Sequence, residues 1–203
     1  MRLVLVRHAE AEGSARGRCY GSLDVELSAR GRSQCASLAE ALASEPVASV
    51  VSSPRIRALD TARAIAERVG VEVGVDPALQ ELDFGELEGR TYEEIAASLP
   101  GLYAEWMTHP TRVRFPGGEC YADLVRRALG AVEALRRAFC RQTVVVVTHG
   151  GVVRAVLADA LGIPDERIFR LAVDPASRSI VEWVDDVPLV VALNVRPYSS
   201  TGA

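Results

Sequence analysis

The chain has 203 residues, of which 49% are apolar and 25% are charged, a composition that indicates one soluble globular domain and excludes a disordered or collagen-like chain. Its 23 basic and 27 acidic residues give a net charge of −4, so no overall positive field attracts nucleic acid or an anionic membrane. Every basic residue is an arginine, which excludes lysine Schiff-base chemistry and a Walker A phosphate loop.

Membrane and metal signals are missing from the sequence. The apolar runs are too short to cross a bilayer, and the run near the N-terminus is too short for a secretion signal. The four cysteines form no Cys-x-x-Cys pair, so free thiols and no bound metal are expected. We therefore expect a cytoplasmic protein with no membrane partner and no cofactor.

Short apolar runs alternate with helical patterns along the chain. The runs at residues 3–6, 48–52, 143–148, 181–184 and 189–193 predict strands. Capping signals and apolar spacing predict helices from Ser28 to about residue 44, from Pro54 to 69, from Thr91 through Ile95, over 121–139 and over 151–161. This alternation predicts an α/β fold with three layers, α/β/α, around a mostly parallel sheet. We expect residues 1–203 to form a single domain, with a frayed tail at 196–203.

Two of the three histidines directly follow predicted strands. Arg7 and His8 follow the first strand, and His149 with Gly150 follows the all-valine strand. Ligands of α/β proteins bind at the carboxyl ends of the strands, so two neighbouring strands would bring the two imidazoles across one crevice. The glycines would let backbone N–H groups approach a ligand. The third histidine, His109, is expected on the surface.

Two further segments carry charge suited to a phosphate. In 52–62, Arg55 and Arg57 open a predicted helix, where a guanidinium fork can bind phosphate, although a solvated helix face is the simpler interpretation. The loop 81–89 carries four carboxylates and two glycines, and one acid could donate a proton. Together the segments predict a site for a phosphate monoester, with Arg7, Arg57 and His149 as cations, His8 as nucleophile and Glu81 as acid.

These motifs resemble the histidine phosphatase superfamily, also called phosphoglycerate-mutase-like. The opening motif of the family, Arg-His-Gly-Glu-Thr, is similar to residues 7–11. The family signature Ser-Pro-x-x-Arg-Ala-x-x-Thr-Ala matches residues 53–62, and its arginine corresponds to Arg57 rather than Arg55. Two later motifs of the family match residues 81–89 and His149-Gly150. The resemblance implies a two-step reaction through a phosphohistidine on His8. Glu81 would protonate the leaving oxygen and then activate water, while Arg7, Arg57 and His149 hold the phosphoryl group.

Departures from the family pattern concern affinity and substrate. Ala9, Ala11 and Ser14 stand where Gly, Thr and Asn are frequent, which removes two polar contacts. The length and the loop after Glu81 favour a phosphatase over a cofactor-dependent phosphoglycerate mutase, and residues 17–27 and 115–119 are similar to the α-ribazole-phosphatase branch of cobalamin assembly. The expected partner is a small phosphomonoester; the expected contacts to it are Arg7, Ser14, Tyr20, Gly21, Arg57, His149 and Gly150.

Three other interpretations fit parts of the pattern. Cys120-x5-Arg126 has the spacing of a cysteine phosphatase, but the five intervening residues lack glycine and fall inside a predicted helix, where no phosphate loop can form. A zinc hydrolase using His8 and His149 is disfavoured because neighbouring arginines repel a dication. A phosphate-binding scaffold without activity is disfavoured because all five catalytic positions are filled.

Overall fold

A six-stranded sheet lies at the centre of the computed structural model, which describes residues 1–13 and 17–197. The strands are β1 (Arg2–Arg7), β2 (Val47–Ser52), β3 (Val73–Val75), β4 (Thr143–Thr148), β5 (Arg178–Val184) and β6 (Val187–Val195). Their order is β3-β2-β4-β1-β5-β6, with parallel pairing up to β1 and antiparallel pairing from β1 to β6. The predicted mostly parallel sheet is confirmed.

Helices cover both faces of the sheet. They are α1 (Ala29–Leu42), α2 (Ile56–Val69), α3 (Tyr92–Ser98), α4 (Pro100–Thr108), α5 (Tyr121–Ala138) and α6 (Gly150–Leu161). Leu3 and Leu5 of β1 pack in one apolar cluster with α5 and α6, whereas Val4 and Val6 pack in another with α1 and α2. Successive side chains of a strand point to opposite faces, so a continuous apolar strand is buried between two helical layers.

Three local predictions need correction. The second helix begins at Ile56 rather than Pro54, because Arg55 has extended backbone (φ −70°, ψ 136°) and occupies the N-cap position. Helix α4 was not predicted: it opens with Pro-Gly and is anchored by tertiary contacts of Trp106, which is buried in a third cluster with Phe115. The tail is ordered further than expected, since Arg196 pairs with Asp174 at 2.8 Å; the rest of the predicted frayed segment, 198–203, lies outside the described residues.

The register of the parallel strands sets the position of the candidate site. Arg7 at the end of β1 is paired with Thr148 at the end of β4, and Ser52 at the end of β2 is paired with Val147. Three chain segments therefore leave the sheet side by side at its carboxyl edge. Within the described ranges, no helix is both long enough and apolar enough to cross a bilayer.

Candidate functional site

The two histidines that follow β1 and β4 face each other. Their ring centroids are 5.1 Å apart with an interplanar angle of 63°, and both side chains are buried. The His8 backbone N–H donates to the Thr148 carbonyl at 2.8 Å, which continues the strand pairing by one residue. The predicted meeting of the two imidazoles is confirmed by this geometry.

The ring of His8 is held in one tautomer. Its Nδ1 lies 2.7 Å from the carbonyl oxygen of Ala9, which can only accept a hydrogen bond. The proton of a neutral ring is therefore on Nδ1, and Nε2 carries the lone pair. The next backbone N–H, that of Ala9, donates to Thr61 Oγ1 at 3.1 Å, so α2 fixes the turn that presents the ring.

The ring of His149 is positioned by a serine. Its Nε2 lies 2.7 Å from Oγ of Ser53, the residue that follows β2. Its Nδ1 is buried and has no hydrogen-bond partner among the described residues. Ser53 belongs to the Ser-Pro signature, but the sequence analysis gave it no role; the structure makes it the residue that orients His149.

Two arginines are anchored by main-chain carbonyls. The side chain of Arg57 is completely buried, and its Nη1 donates to the Leu23 carbonyl at 2.7 Å while Nη2 donates to Tyr20 and Gly21 at 3.0 Å. Arg7 Nη1 donates to the Val173 carbonyl at 2.6 Å. In both guanidinium groups Nε is buried without a partner in the described part of the chain. Each arginine thus has at least one N–H group, on Nε, that is available to bind an anion.

Glu81 is held by backbone amides. Its Oε1 accepts from Leu82 N at 3.0 Å and its Oε2 from Gly151 N at 3.1 Å. A side chain at Gly151 would collide with this carboxylate, so the second glycine after His149 is needed for the approach. Arg127 of α5 fixes the same segment, because its Nη2 donates to the Glu81 carbonyl at 2.9 Å.

These groups surround one cavity of about 150 Å³. The five residues with predicted catalytic roles line it together with Tyr20, whose ring lies 5.0 Å from Arg57 Cζ. The sequence analysis missed three lining residues, Arg18, Phe84 and Tyr92. Arg18 could have been predicted from the sequence, because it belongs to the segment 17–27, whose similarity to the α-ribazole-phosphatase branch already indicated a role in substrate recognition.

The remaining residues that were expected to contact the substrate are Gly21, Gly150 and Ser14. Gly21 is not free to bind a substrate: its N–H donates to the Glu88 carboxylate and its carbonyl accepts from Arg57. A Cβ there would also collide with the Leu82 carbonyl, so its role is structural, which corrects the expectation. Gly150 is the first residue of α6, where a Cβ would lie only 3.0 Å from Arg154 Nη1, so the absence of a side chain leaves room for that guanidinium. Ser14 lies outside the described residues.

Glu88 of the acidic loop connects two loops around the cavity. Its carboxylate accepts from the backbone N–H groups of Gly21 and Ser22, within 3.1 Å, and of Phe84 at 3.0 Å. The carbonyls of the first loop in turn hold Arg57. Glu88 therefore acts as a positioning residue for these two loops.

The electrostatics of the site favour neutral imidazoles. Burial lowers the pKa of His8 and of His149 well below the usual value, and the nearby Arg57 lowers both pKa values further. A neutral His8 is the form that can act as a nucleophile. A bound phosphoryl dianion would counter the arginine charge and favour the protonated form of His149.

The geometry of the described residues matches neither a cysteine-phosphatase loop nor a metal site. Cys120 is the N-cap of α5, the five residues after it lie inside the helix as predicted, and its Sγ lies 3.1 Å from Asp123 Oδ2. Arg126 pairs with the same carboxylate at 2.9 Å, so the two groups form no phosphate loop. The four cysteines are free thiols, and His109 is exposed as predicted. No group of three or more His, Cys, Asp or Glu residues suited to a metal occurs in the described ranges.

Comparison with known proteins agrees with this geometry. A family model for the histidine phosphatase superfamily (branch 1) matches residues 3–196. Phosphoserine phosphatase 1 of Hydrogenobacter thermophilus is 35% identical over 195 residues, 96% of this chain and 92% of that protein. A glucosyl-3-phosphoglycerate phosphatase of Mycolicibacterium vanbaalenii is 38% identical over 170 residues, 80% of this chain and 75% of the relative. The crystal structure of the α-ribazole phosphatase from Shigella flexneri matches with a TM-score of 0.89 at 26% identity, covering 100% of both chains. The chain therefore belongs to branch 1 of the histidine phosphatase superfamily.

Proposed function

We propose that the protein is a metal-independent phosphomonoesterase that acts through a phosphohistidine on a small phosphorylated metabolite. One observation carries the proposal: Arg7 Nε, Arg57 Nε and His149 Nδ1 are buried without partners in the described chain, around a cavity that also holds the His8 ring. Buried polar atoms are normally paired, so three unpaired ones around one cavity indicate an anion that arrives with the substrate.

In the first step, Nε2 of His8 attacks phosphorus. A P–N bond forms as the bond between phosphorus and the ester oxygen breaks, and Glu81 gives its proton to the departing oxygen. The two guanidinium groups and His149 stabilise the charge on the non-bridging oxygens, and they do so in a buried site where such contacts are strong. The alcohol leaves, and the ring remains as phosphohistidine.

In the second step, a water molecule replaces the alcohol. The Glu81 carboxylate takes a proton from this water as its oxygen attacks phosphorus, and the P–N bond breaks. Inorganic phosphate leaves, His8 returns to its neutral form and Glu81 is again protonated. The carboxyl thus serves as acid and then as base from one fixed position.

A narrower candidate substrate is α-ribazole 5′-phosphate. The loop segment 17–27 and the similarity to a structure named as an α-ribazole phosphatase support it, whereas two sequence relatives are named for phosphoserine and glucosyl-3-phosphoglycerate. The kcat/KM values for these three esters and for 3-phosphoglycerate would separate the candidates. Conversion of 3-phosphoglycerate to its isomer would instead support the alternative, mutase activity.

Hydrolysis is expected to proceed without added metal. The purified protein should release phosphate from p-nitrophenyl phosphate at the same rate before and after EDTA treatment, because two arginines, and the His149 ring that a bound dianion would favour in its protonated form, balance the phosphoryl charge. Phosphate release with and without EDTA is the measurement. Loss of activity on EDTA treatment that zinc restores would contradict the proposed mechanism.

Replacing Arg57 by alanine should reduce kcat/KM by about 100-fold or more, corresponding to ~3 kcal/mol of transition-state stabilisation. The matched control is Arg55→Ala, because Arg55 is two residues earlier and pairs with Gln80 at 2.8 Å. Since Arg57 also holds three carbonyls, thermal unfolding of both variants is recorded beside the kinetics. If both variants are folded and have equal kcat/KM values, Arg57 does not stabilise the transition state.

A further inference from the structure

A second cavity, of about 360 Å³, adjoins the phosphoryl site. The two cavities share Glu81, Phe84 and Tyr92 as lining residues. Because Glu81 would protonate the leaving oxygen, the carbon skeleton attached to that oxygen can extend into this second cavity. The cavity is therefore the place where the alcohol half of the substrate would be recognised, an inference that depends on the proposed function.

The walls of the second cavity are mostly apolar. Its apolar lining consists of Leu82, Phe84, Trp106, Met107, Pro110, Leu124, Ile168 and Phe169. Besides Glu81, the only ionic side chain of the described residues that lines it is Arg154, from the second turn of α6. Tyr121, at the start of α5, adds a hydroxyl group.

Arg154 brings an unbalanced positive charge to these walls. Its Nε donates to the Leu171 carbonyl at 3.1 Å and its Cζ lies 5.5 Å from the Phe169 ring centre, but it forms no salt bridge within the described ranges. Burial lowers the pKa of Arg154, and the charge of Arg7 lowers it further. A half-buried charge is costly unless it is paired, and although the Glu81 carboxyl lines the same cavity, no carboxylate of the described residues lies within salt-bridge distance of Arg154.

Tyr121 provides an independent sign of a missing partner. Its side chain is only 4% exposed, yet the hydroxyl has no hydrogen-bond partner in the part of the chain that the structure describes. A buried tyrosine hydroxyl is usually paired. A buried hydroxyl group without a partner and a guanidinium without a salt bridge, both judged within the described residues, thus line the same apolar cavity.

We propose that the alcohol half of the substrate carries a carboxylate, which Arg154 binds and the Tyr121 hydroxyl also contacts. A guanidinium fork matches the two oxygens of a carboxylate, and the apolar walls strengthen this contact by excluding water. A second phosphate fits less well, because the phosphoryl site uses two arginines and a histidine for its dianion, whereas a single cation of the described part of the chain lines this cavity. The proposal favours acidic phosphomonoesters over α-ribazole 5′-phosphate, whose alcohol half carries no anion.

Paired substrates test the carboxylate directly. O-phosphoserine and O-phosphoethanolamine differ only by the carboxylate, and 3-phosphoglycerate and glycerol 3-phosphate differ by a carboxylate in place of a hydroxymethyl group. For the wild-type protein, kcat/KM should be about 30-fold higher for the acidic member of each pair, the size expected for a charge-assisted hydrogen bond. Equal values for both members would overturn the proposal.

Arg154→Met removes the charge and keeps a long side chain. We expect this variant to lose the preference for the acidic member, and Tyr121→Phe to reduce the preference by about 10-fold, as for a hydrogen bond from a neutral donor to a carboxylate. The control is Arg126→Met, since Arg126 is exposed on the surface of α5 and should leave the preference unchanged. Thermal unfolding confirms that each variant is folded.

The outcomes distinguish this proposal from the proposed function. If Arg154→Met lowers kcat/KM equally for both members of a pair, Arg154 holds the phosphoryl group and the carboxylate proposal is wrong. If the preference persists in Arg154→Met, another group reads the carboxylate and the proposal is again wrong. If the wild-type protein hydrolyses neither these esters nor p-nitrophenyl phosphate, the phosphatase function itself fails.

Discussion

Replacing His8 by alanine is expected to reduce turnover of phosphomonoesters by roughly 10⁵-fold, the size seen when a covalent nucleophile is removed from a hydrolase. The loss arises because His8 Nε2 is the atom proposed to attack phosphorus: of the other four residues with predicted roles, two are arginines, Glu81 is proposed to transfer the proton, and His149 is bonded to Ser53 and proposed to hold the phosphoryl group. Rapid-quench experiments with ³²P-labelled substrate should show an acid-labile phosphoenzyme in the wild-type protein and none in the variant.

Two variants control for this result. Cys120→Ser tests the cysteine alternative and His109→Ala removes an exposed histidine, so both should keep wild-type turnover and a labelled enzyme. An acid-stable label that disappears in Cys120→Ser, with full activity of His8→Ala, would reverse the assignment. Circular dichroism of His8→Ala shows whether the buried position tolerates the change.

Replacing Glu81 by glutamine is expected to have an effect that depends on the leaving group. Glutamine is nearly isosteric but cannot give a proton to an alkoxide, so release of an alkyl alcohol should slow by about 10³-fold. Nitrophenolate needs no proton to leave, so its release in the first turnover should slow by less than about 10-fold. The second step also loses its base, so stopped-flow traces should show one equivalent of nitrophenol and then slow turnover.

The matched control for this variant is Glu86→Gln. Glu86 lies on the same loop but is exposed and does not line the cavity, so both steps should keep their rates. If Glu81→Gln slows alkyl and nitrophenyl esters equally, without an initial release, the carboxyl serves in binding rather than in proton transfer.

The positions of the two histidines could be predicted from the sequence because they depend on where the parallel strands end. A run such as Thr143–Thr148, which is apolar at four successive positions, is stable only between two helical layers and hence in the middle of a parallel sheet. Residues just after such strands share one edge, so His8 and His149 could be placed together before the structure was known. The family motifs then selected Arg57 over Arg55, and the structure buries Arg57 at the cavity.

The remaining parts depend on contacts that no local pattern encodes. The carbonyls that anchor Arg57 come from a loop 34 to 37 residues away, and any residue type has a carbonyl. Glu88 was indistinguishable from its acidic neighbours, because its role depends on which amides the fold brings to it. The unpaired state of Arg154 is likewise visible only after the surrounding helices are placed.

The hydrogen bond between His8 Nδ1 and the Ala9 carbonyl gives the reactive ring unusual mutational robustness. Because the acceptor is a main-chain atom of the adjacent residue, no amino-acid exchange can delete it. A library that varies position 9 should therefore lose enzymes through steric crowding at this buried residue, and small residues should survive selection there whatever their polarity.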